Sequence, residues 1–227
     1  MSAHDLDLRT ALIQTCRAMT AGGLSFGTSG NASVRLDSSR MLITPTGMAY
    51  ESLQPDDIVE VSLSGHVRGR RRPSSEWRFH RDILAARTEI NAVVHSHSPF
   101  ATALACRGEG IPAFHYMVAV AGGPDIRCAP YATFGTEELS EHAVRALADR
   151  RACLLANHGQ IALGTDLPAA LKLAGEVETL AAQYWRACQG GTPILLDDAE
   201  MIRVAEKFRG YGDQSAPLDE GLVSDPD

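Results

Sequence analysis

Apolar residues recur along this chain with two periods, and the changes between them lay out its elements. Leu8, Leu12, Cys16 and Met19 fall on one helical face, with Gly22-Gly23 as the stop. Short alternating or apolar runs follow at ASVRL from Ala32, MLIT from Met41 and IVEVS from Ile58. Turn residues between them suggest antiparallel pairing. The segment PSSEWRFHRDILAAR from Pro73 reads as a helix whose first turn holds Ser74, Ser75 and Glu76. NAVVHSH then reads as a strand, and AFHYMVAV from Ala113 as another, with His115 and Tyr116 on opposite faces. Thr136 can cap a helix running to about Asp149, with Glu137 and Glu138 at its positive end. ACLLA and QIALG form a strand pair joined by a tight turn at Asn157-His158-Gly159. A long helix opens at Asp166 and Pro168 and runs to about Gln189, its apolar stripe carrying Leu167, Leu171, Ala174, Val177 and Ala181. A last helix spans about Asp198 to Phe208.

Strands flanked by helices at both ends imply an α/β fold: a single domain with a mostly antiparallel central β-sheet flanked by α-helices. That domain is expected over residues 1–211, followed by an acidic tail, 212–227, expected to be mobile. The 227 residues suffice for one substantial core, and 44% hydrophobic with 22% charged content is ordinary for a globular protein.

Charge narrows the classes of partner. A formal net charge of -7 argues against nucleic-acid binding, which needs a basic footprint. It leaves room for a small anionic ligand met by local donors and a metal. The one basic run, Arg68 to Arg72, is read as a solvated loop. No stretch approaches the roughly 20 apolar residues that cross a bilayer, and MSAHDLDLRT lacks a secretory pattern. Five scattered cysteines without C-x-x-C fit reduced thiols. A cytoplasmic protein with no membrane partner is expected.

The chemistry starts at VVHSHSPF, Val93 to Phe100, where two histidines close an apolar strand. Residues i and i+2 of a strand point to the same side, so His95 and His97 can aim at one point. A pair of surface histidines at a strand end is the alternative. His158, in a turn after another apolar strand, is delivered to a similar place. Three imidazoles with an open fourth position are the pattern of a catalytic metal site, since structural zinc sites are closed by four protein ligands. Glu76 is the candidate fourth ligand, able to leave and act as a base; an ordinary first-turn acid is the alternative. His80, one turn later, could support Glu76, though a buried structural role is the simpler reading. His4, His66, His115 and His142 are assigned no chemistry.

Three segments could hold a phosphate: GTSGN (27–31), TPTG (44–47) and PSSE (73–76) combine glycines, hydroxyls and free backbone N–H groups. Each is weak alone, and none is a nucleotide-binding loop. PSSE adjoins Glu76, which would put a phosphate within a small molecule's length of the metal.

The ordered blocks GTSGNASVR, MLITPTGMAYESL, PSSEWRFH, NAVVHSH, IPAFHYMVAVAGG, CAPYATFGTEELSEH and NHGQIALG resemble the class II aldolase/adducin superfamily, most nearly its L-fuculose-1-phosphate aldolase branch. The resemblance runs from the first helix through Tyr211. It implies a class II aldolase, an aldehyde-lyase that reversibly cleaves a ketose 1-phosphate such as L-fuculose 1-phosphate to dihydroxyacetone phosphate and an aldehyde. It implies zinc held by His95, His97 and His158, with Glu76 as exchangeable ligand and acid/base; manganese, cobalt or iron would suit the same ligands. Thr28, Asn31, Thr46, Gly47, Ser74 and Ser75 match phosphate-binding positions. Tyr116 matches a proton-donating tyrosine from an adjacent subunit, and Phe134 and Tyr211 match residues of the aldehyde pocket. A homotetramer with active sites at subunit interfaces is implied. Related 4-epimerases carry aspartate where Glu76 stands, and non-enzymatic adducin-like members lose the metal histidines, all three of which stand here. The alternatives on this scaffold are an aldolase for 5-deoxyribulose or 5-methylthioribulose 1-phosphate, a sugar-phosphate 4-epimerase or a decarboxylase. A non-catalytic metal-binding scaffold is the remaining rival. Lys172 and Lys207, the only lysines, fall on solvent-facing helix positions, which favours the metal route over imine chemistry.

Overall fold

The computed structural model describes residues 2–209. Tyr211 and the tail 212–227 lie outside the described residues. The elements in chain order are α1 (Ala3–Ala21), β1 (Asn31–Arg35), β2 (Arg40–Ile43), β3 (Val59–Ser62), β4 (Val67–Arg68), α2 (Trp77–Ala86), β5 (Ala92–Ser96) and α3 (Pro99–Ala105). There follow β6 (Arg127–Ala129), α4 (Glu137–Ala146), β7 (Ala152–Leu155), β8 (Gly159–Gly164), α5 (Leu167–Gln189) and α6 (Asp198–Phe208). The eight strands form one sheet in the order β4-β3-β2-β1-β5-β8-β7-β6. Every pairing is antiparallel except β6 with β7.

Side-chain alternation along the strands splits the core into two layers. Ala92 and Val94 of β5 join Val34, Leu42 and Ala162 in one cluster with α1, α3 and α5. Val93 joins Met41, Ile43 and Ile161 in the other, under Phe79 and Ile83 of α2 and Leu139 and Ala143 of α4. The expected α/β arrangement is therefore the observed one, with helices on both faces.

Two local expectations are corrected. Tyr116–Ala121, overlapping the stretch read as a strand, is a 3-10 helix. The His115 ring accepts from the Met117 N–H, capping the turn, and a continuous apolar run carries no period to distinguish strand from buried helix. His115 and Tyr116 consequently stack, ring centroids 4.8 Å apart, instead of facing opposite ways. The helix read from Pro73 begins later, at Trp77, with Glu76 at its N-cap. Ser74 and Ser75 form the preceding turn, where the Trp77 N–H bonds to the Ser74 carbonyl. Glu76 makes no capping bond with its side chain, which is free to turn inward. In the basic run, Arg70 and Arg71 do more than meet solvent: both pair with the buried Asp57 carboxylate, at 2.9 and 2.8 Å.

Antiparallel register sets which strand ends coincide. Asn31, opening β1, pairs with His95 near the close of β5, and Ser96 pairs with Gln160 near the opening of β8. Leu155, closing β7, pairs with both Gly159 and Ala129, the close of β6. Five strand ends thus arrive at one end of the sheet.

One brace fixes this end. After His97 the chain turns into α3, whose first N–H groups, on Phe100 and Ala101, donate to the two carboxylate oxygens of Glu178 on α5 at 2.8 and 2.9 Å. An acid at a helix start satisfies orphan donors and meets the positive end of the dipole. Glu178→Ala is expected to lose about 1–2 kcal/mol of stability in a urea titration, the range of a lost N-cap.

Candidate metal centre

The turn between β7 and β8 and the end of β5 carry the imidazoles. His95 lies in β5 and is fully buried; its Nδ1 is 2.9 Å from the Gln160 carbonyl. A carbonyl only accepts, so Nδ1 carries the proton and the Nε2 lone pair faces outward along the sheet end. His97, two residues on, presents Nε2 at 3.0 Å from His95 Nε2. His158 follows Asn157, whose left-handed backbone (φ 56°) makes the turn tight. The three rings lie 4.8–4.9 Å apart, centroid to centroid.

Closeness of the turn depends on a missing side chain. A Cβ on Gly159 would collide with the Ser96 carbonyl oxygen and come within 2.9 Å of the His97 ring. Glycine therefore lets β8 start against the end of β5 and brings His158 to His97.

Glu76 completes the group. Its Oε2 is 3.2 Å from His95 Nε2 and its Oε1 is 3.1 Å from His158 Nε2. All four donor atoms lie within 4.8 Å of one another. Donors about 2.0–2.1 Å from a tetrahedral zinc would stand about 3.3 Å apart, so the closest of these separations have the right scale. Burial would push the Glu76 carboxyl up, but His95 and His158 hold it well below the usual carboxylate range. Burial alone would lower His95, and the Glu76 carboxylate raises it above its ordinary value. Burial, then the neighbouring His95 and His158, brings His97 down to about 4. An ionised carboxylate beside a neutral imidazole is a donor set ready for a divalent cation.

A further observation favours the cation. Glu76 Oε1 is buried, and His158 Nε2, 3.1 Å away, makes no well-formed hydrogen bond to it. An unsatisfied anionic oxygen is costly, and a positive ion among these donors removes that cost. His97 and His158 are only partly buried, which leaves the group accessible on their side.

The expected phosphate segments sit around this end of the sheet. The Thr46 N–H bonds to the Arg72 carbonyl at 3.1 Å and the Ser74 N–H to the Thr44 carbonyl at 2.9 Å. These bonds bring Thr46, Gly47, Ser74 and Ser75 into one neighbourhood beside Glu76. Thr28, Thr46, Gly47 and Ser75 are exposed, whereas Ser74 is buried with its hydroxyl accepting from the Glu76 N–H at 3.3 Å. Phe134, 64% exposed, is held nearby because Arg78 Nη1 donates to the Gly135 carbonyl at 2.7 Å. Tyr116 is half exposed and stacks on His115 and Phe208, outside the four-ligand group.

Asn31, expected at the phosphate, has a further set of contacts. Its amide is buried, donating to Glu76 Oε2 at 2.8 Å while its Oδ1 faces His80 Nε2 at 2.5 Å. Sequence reasoning missed this link, the Gln160 carbonyl behind His95 and the part played by Gly159. The pairing of Asn31 with His95 across β1 and β5 is the signal that would have exposed the first, and it needs a strand register. Among the described residues no helix is long and apolar enough to cross a membrane, and all five cysteines are free.

Comparison with known proteins agrees with this geometry. The profile of the family described as Class II Aldolase and Adducin N-terminal domain matches residues 10–185. The chain is similar to a 5-methylthioribulose-1-phosphate/5-deoxyribulose-1-phosphate aldolase of Rhodospirillum rubrum, with 56% identity over 95% of this chain and 97% of that one. It is similar to an L-fuculose phosphate aldolase of Escherichia coli, with 49% identity over 90% and 95% of the two chains. A solved L-fuculose 1-phosphate aldolase superposes with a TM-score of 0.87 at 42% identity, covering 92% of this chain and 98% of that one.

The close approach at Gly159 yields a direct check. Gly159→Ala should push the turn off the Ser96 carbonyl, move His158, and weaken divalent-metal binding by about tenfold or more in a chelator competition, the effect typical of a displaced ligand support.

Proposed function

The chain belongs to the class II aldolase and adducin family, and on that footing we propose that it is a zinc-dependent aldolase of ketose 1-phosphates. It reversibly forms dihydroxyacetone phosphate and a short aldehyde. The observation that carries this reading is the group of three imidazoles and Glu76, with one carboxylate oxygen left without a well-formed hydrogen bond.

His95, His97 and His158 would hold the cation, with Glu76 as a ligand that can leave. A divalent ion there supplies Lewis-acid stabilisation of negative charge, worth several kcal/mol. The hydroxyls and amides of Thr28, Asn31, Thr46, Gly47, Ser74 and Ser75 receive the phosphate and so fix which carbons lie beside Glu76. In cleavage the C4 hydroxyl gives up its proton, the C3–C4 bond breaks, and its electron pair stays on the three-carbon fragment. Tyr116, from an adjacent subunit, receives the C4 hydroxyl proton and releases it to solvent, while Glu76, protonated from solvent, gives a proton to C3 of that fragment and takes it back in the condensation direction.

The substrates under consideration share the phosphorylated three-carbon half and differ in the aldehyde. L-Fuculose 1-phosphate would give lactaldehyde, 5-deoxyribulose 1-phosphate acetaldehyde, and 5-methylthioribulose 1-phosphate a methylthio-acetaldehyde. Sequence reading alone puts the first foremost. The 56% identity to the Rhodospirillum rubrum enzyme favours the ribulose pair for this chain. Phe134, and Tyr211 in the segment beyond the described residues, are the proposed aldehyde-pocket groups. We place the enzyme in the cytoplasm as a homotetramer; exposed Tyr116, Tyr131 and Phe134, 50–64% accessible, suit a subunit contact.

Cleavage of a panel of ketose 1-phosphates, followed by dihydroxyacetone phosphate release with and without chelator, tests this reading. The ribulose 1-phosphates should give the highest kcat/KM, and chelator should abolish turnover. Release of an epimer or of carbon dioxide instead would replace the aldolase assignment. Glu76→Gln should keep its metal on the three imidazoles while losing about 10²–10⁴ in C3 proton exchange of dihydroxyacetone phosphate with solvent. Mixing denatured Glu76→Gln and Tyr116→Phe chains and refolding them should restore activity above either parent. No recovery would place Tyr116 outside a shared site.

A further inference from the structure

Glu76 is held from behind by three buried side chains, Asn31, Ser33 and His80, to which the proposed chemistry gives no proton transfer. Asn31 and Ser33 lie two residues apart on β1 and share the face packed against α2, while His80 stands one helical turn after Glu76. Ser33 and His80 are fully buried and Asn31 is 5% exposed. Ser33 Oγ is 2.7 Å from His80 Nδ1, His80 Nε2 is 2.5 Å from Asn31 Oδ1, and Asn31 Nδ2 is 2.8 Å from Glu76 Oε2.

Chemistry gives this chain one direction. A carboxylate oxygen can only accept, so Asn31 must turn its NH2 to Glu76 and its carbonyl to His80. His80 Nε2 must then carry a proton, and in a fully buried, neutral ring Nδ1 is left to accept from the Ser33 hydroxyl. A flipped Asn31 would set its carbonyl oxygen against the Glu76 carboxylate and leave its NH2 facing the His80 N–H.

We propose that His80 is a positioning residue: by donating to Asn31 Oδ1 it prevents the amide from flipping, and so pins Glu76 Oε2 and leaves Oε1 to the cation. This rests on the reading of Glu76 as a metal ligand. His80 therefore holds Glu76 in the ligand position between turnovers and opposes its departure when substrate enters. Ser33 acts one step further back, fixing which His80 nitrogen bears the proton.

The test is divalent-metal affinity by chelator competition, with the absorption spectrum of the cobalt-substituted protein. His80→Phe keeps a ring against Phe79, which stacks on His80 at 4.6 Å, but removes the donor. It should weaken metal binding about tenfold or more and alter the cobalt bands as Glu76 leaves the ion. His80→Gln, whose amide N–H can replace Nε2–H, should recover wild-type affinity to within about 1.5-fold, a rescue that a purely space-filling role would not give. Ser33→Ala, a small change that the fold accommodates, should produce a smaller loss, about threefold, and serves if His80→Phe does not fold. Wild-type affinity and cobalt spectrum in His80→Phe, or in Ser33→Ala should the first not fold, would overturn the proposal, as would a His80→Gln variant as weak as His80→Phe. His95→Ala is the control for the underlying reading: undiminished metal binding there would remove the metal centre itself, a different failure from either of these.

Discussion

The structure depends on keeping an ionised carboxylate inside the protein. Glu76 is 6% exposed, lies at the start of a helix it does not cap, and is held ionised by the imidazoles in front of it. Burying a charge is strongly unfavourable unless it is paired and hydrogen-bonded. Here one oxygen receives the Asn31 amide, and the other faces the His158 ring nitrogen at 3.1 Å without a well-formed hydrogen bond. That imbalance suits the site to a divalent cation, the reading proposed above, and it accounts for the buried polar structure gathered at one end of the sheet.

Antiparallel register converts this local demand into a fold requirement. The opening of β1 and the close of β5 must coincide for Asn31 and His95 to meet, and β8 must open against β5 for His158 to join them. A slip of one residue would turn each of these side chains to the other face. Gly159 permits the last approach, and Glu178 secures the chain where it leaves His97 for α3. Strand ends thus carry His95 and the candidate metal group, while the exposed Thr28, Thr46 and Phe134 stand on loops around them, as binding groups placed on a rigid scaffold commonly do.

Periodicity exposed what depends on local pattern. The helix faces of α1 and α5, the β7–β8 hairpin, the Thr136 cap and the same-side placement of His95 and His97 could all be read from spacing. The apolar run after Ala113 could not, because strand and 3-10 helix bury such a run equally well, and the choice was made by the His115 cap. The start of α2 was misplaced because Ser74 and Ser75 cap as readily as they enter a helix. At the site, the meeting of the three histidines with Glu76 was legible but their supports were not. Asn31 lies 45 residues from Glu76 and 49 from His80, and only a strand register brings them together. The Gln160 carbonyl behind His95 is a backbone group, which no residue type announces.

The central claim, one divalent ion gripped by three imidazoles and one carboxylate, is tested most directly by X-ray absorption spectroscopy of the metal-loaded, substrate-free protein. The account predicts three imidazole nitrogens and one carboxylate oxygen at about 2.0–2.2 Å from zinc, without sulfur. Fewer than three imidazoles around the ion, or scattering from a cysteine thiolate, would contradict it.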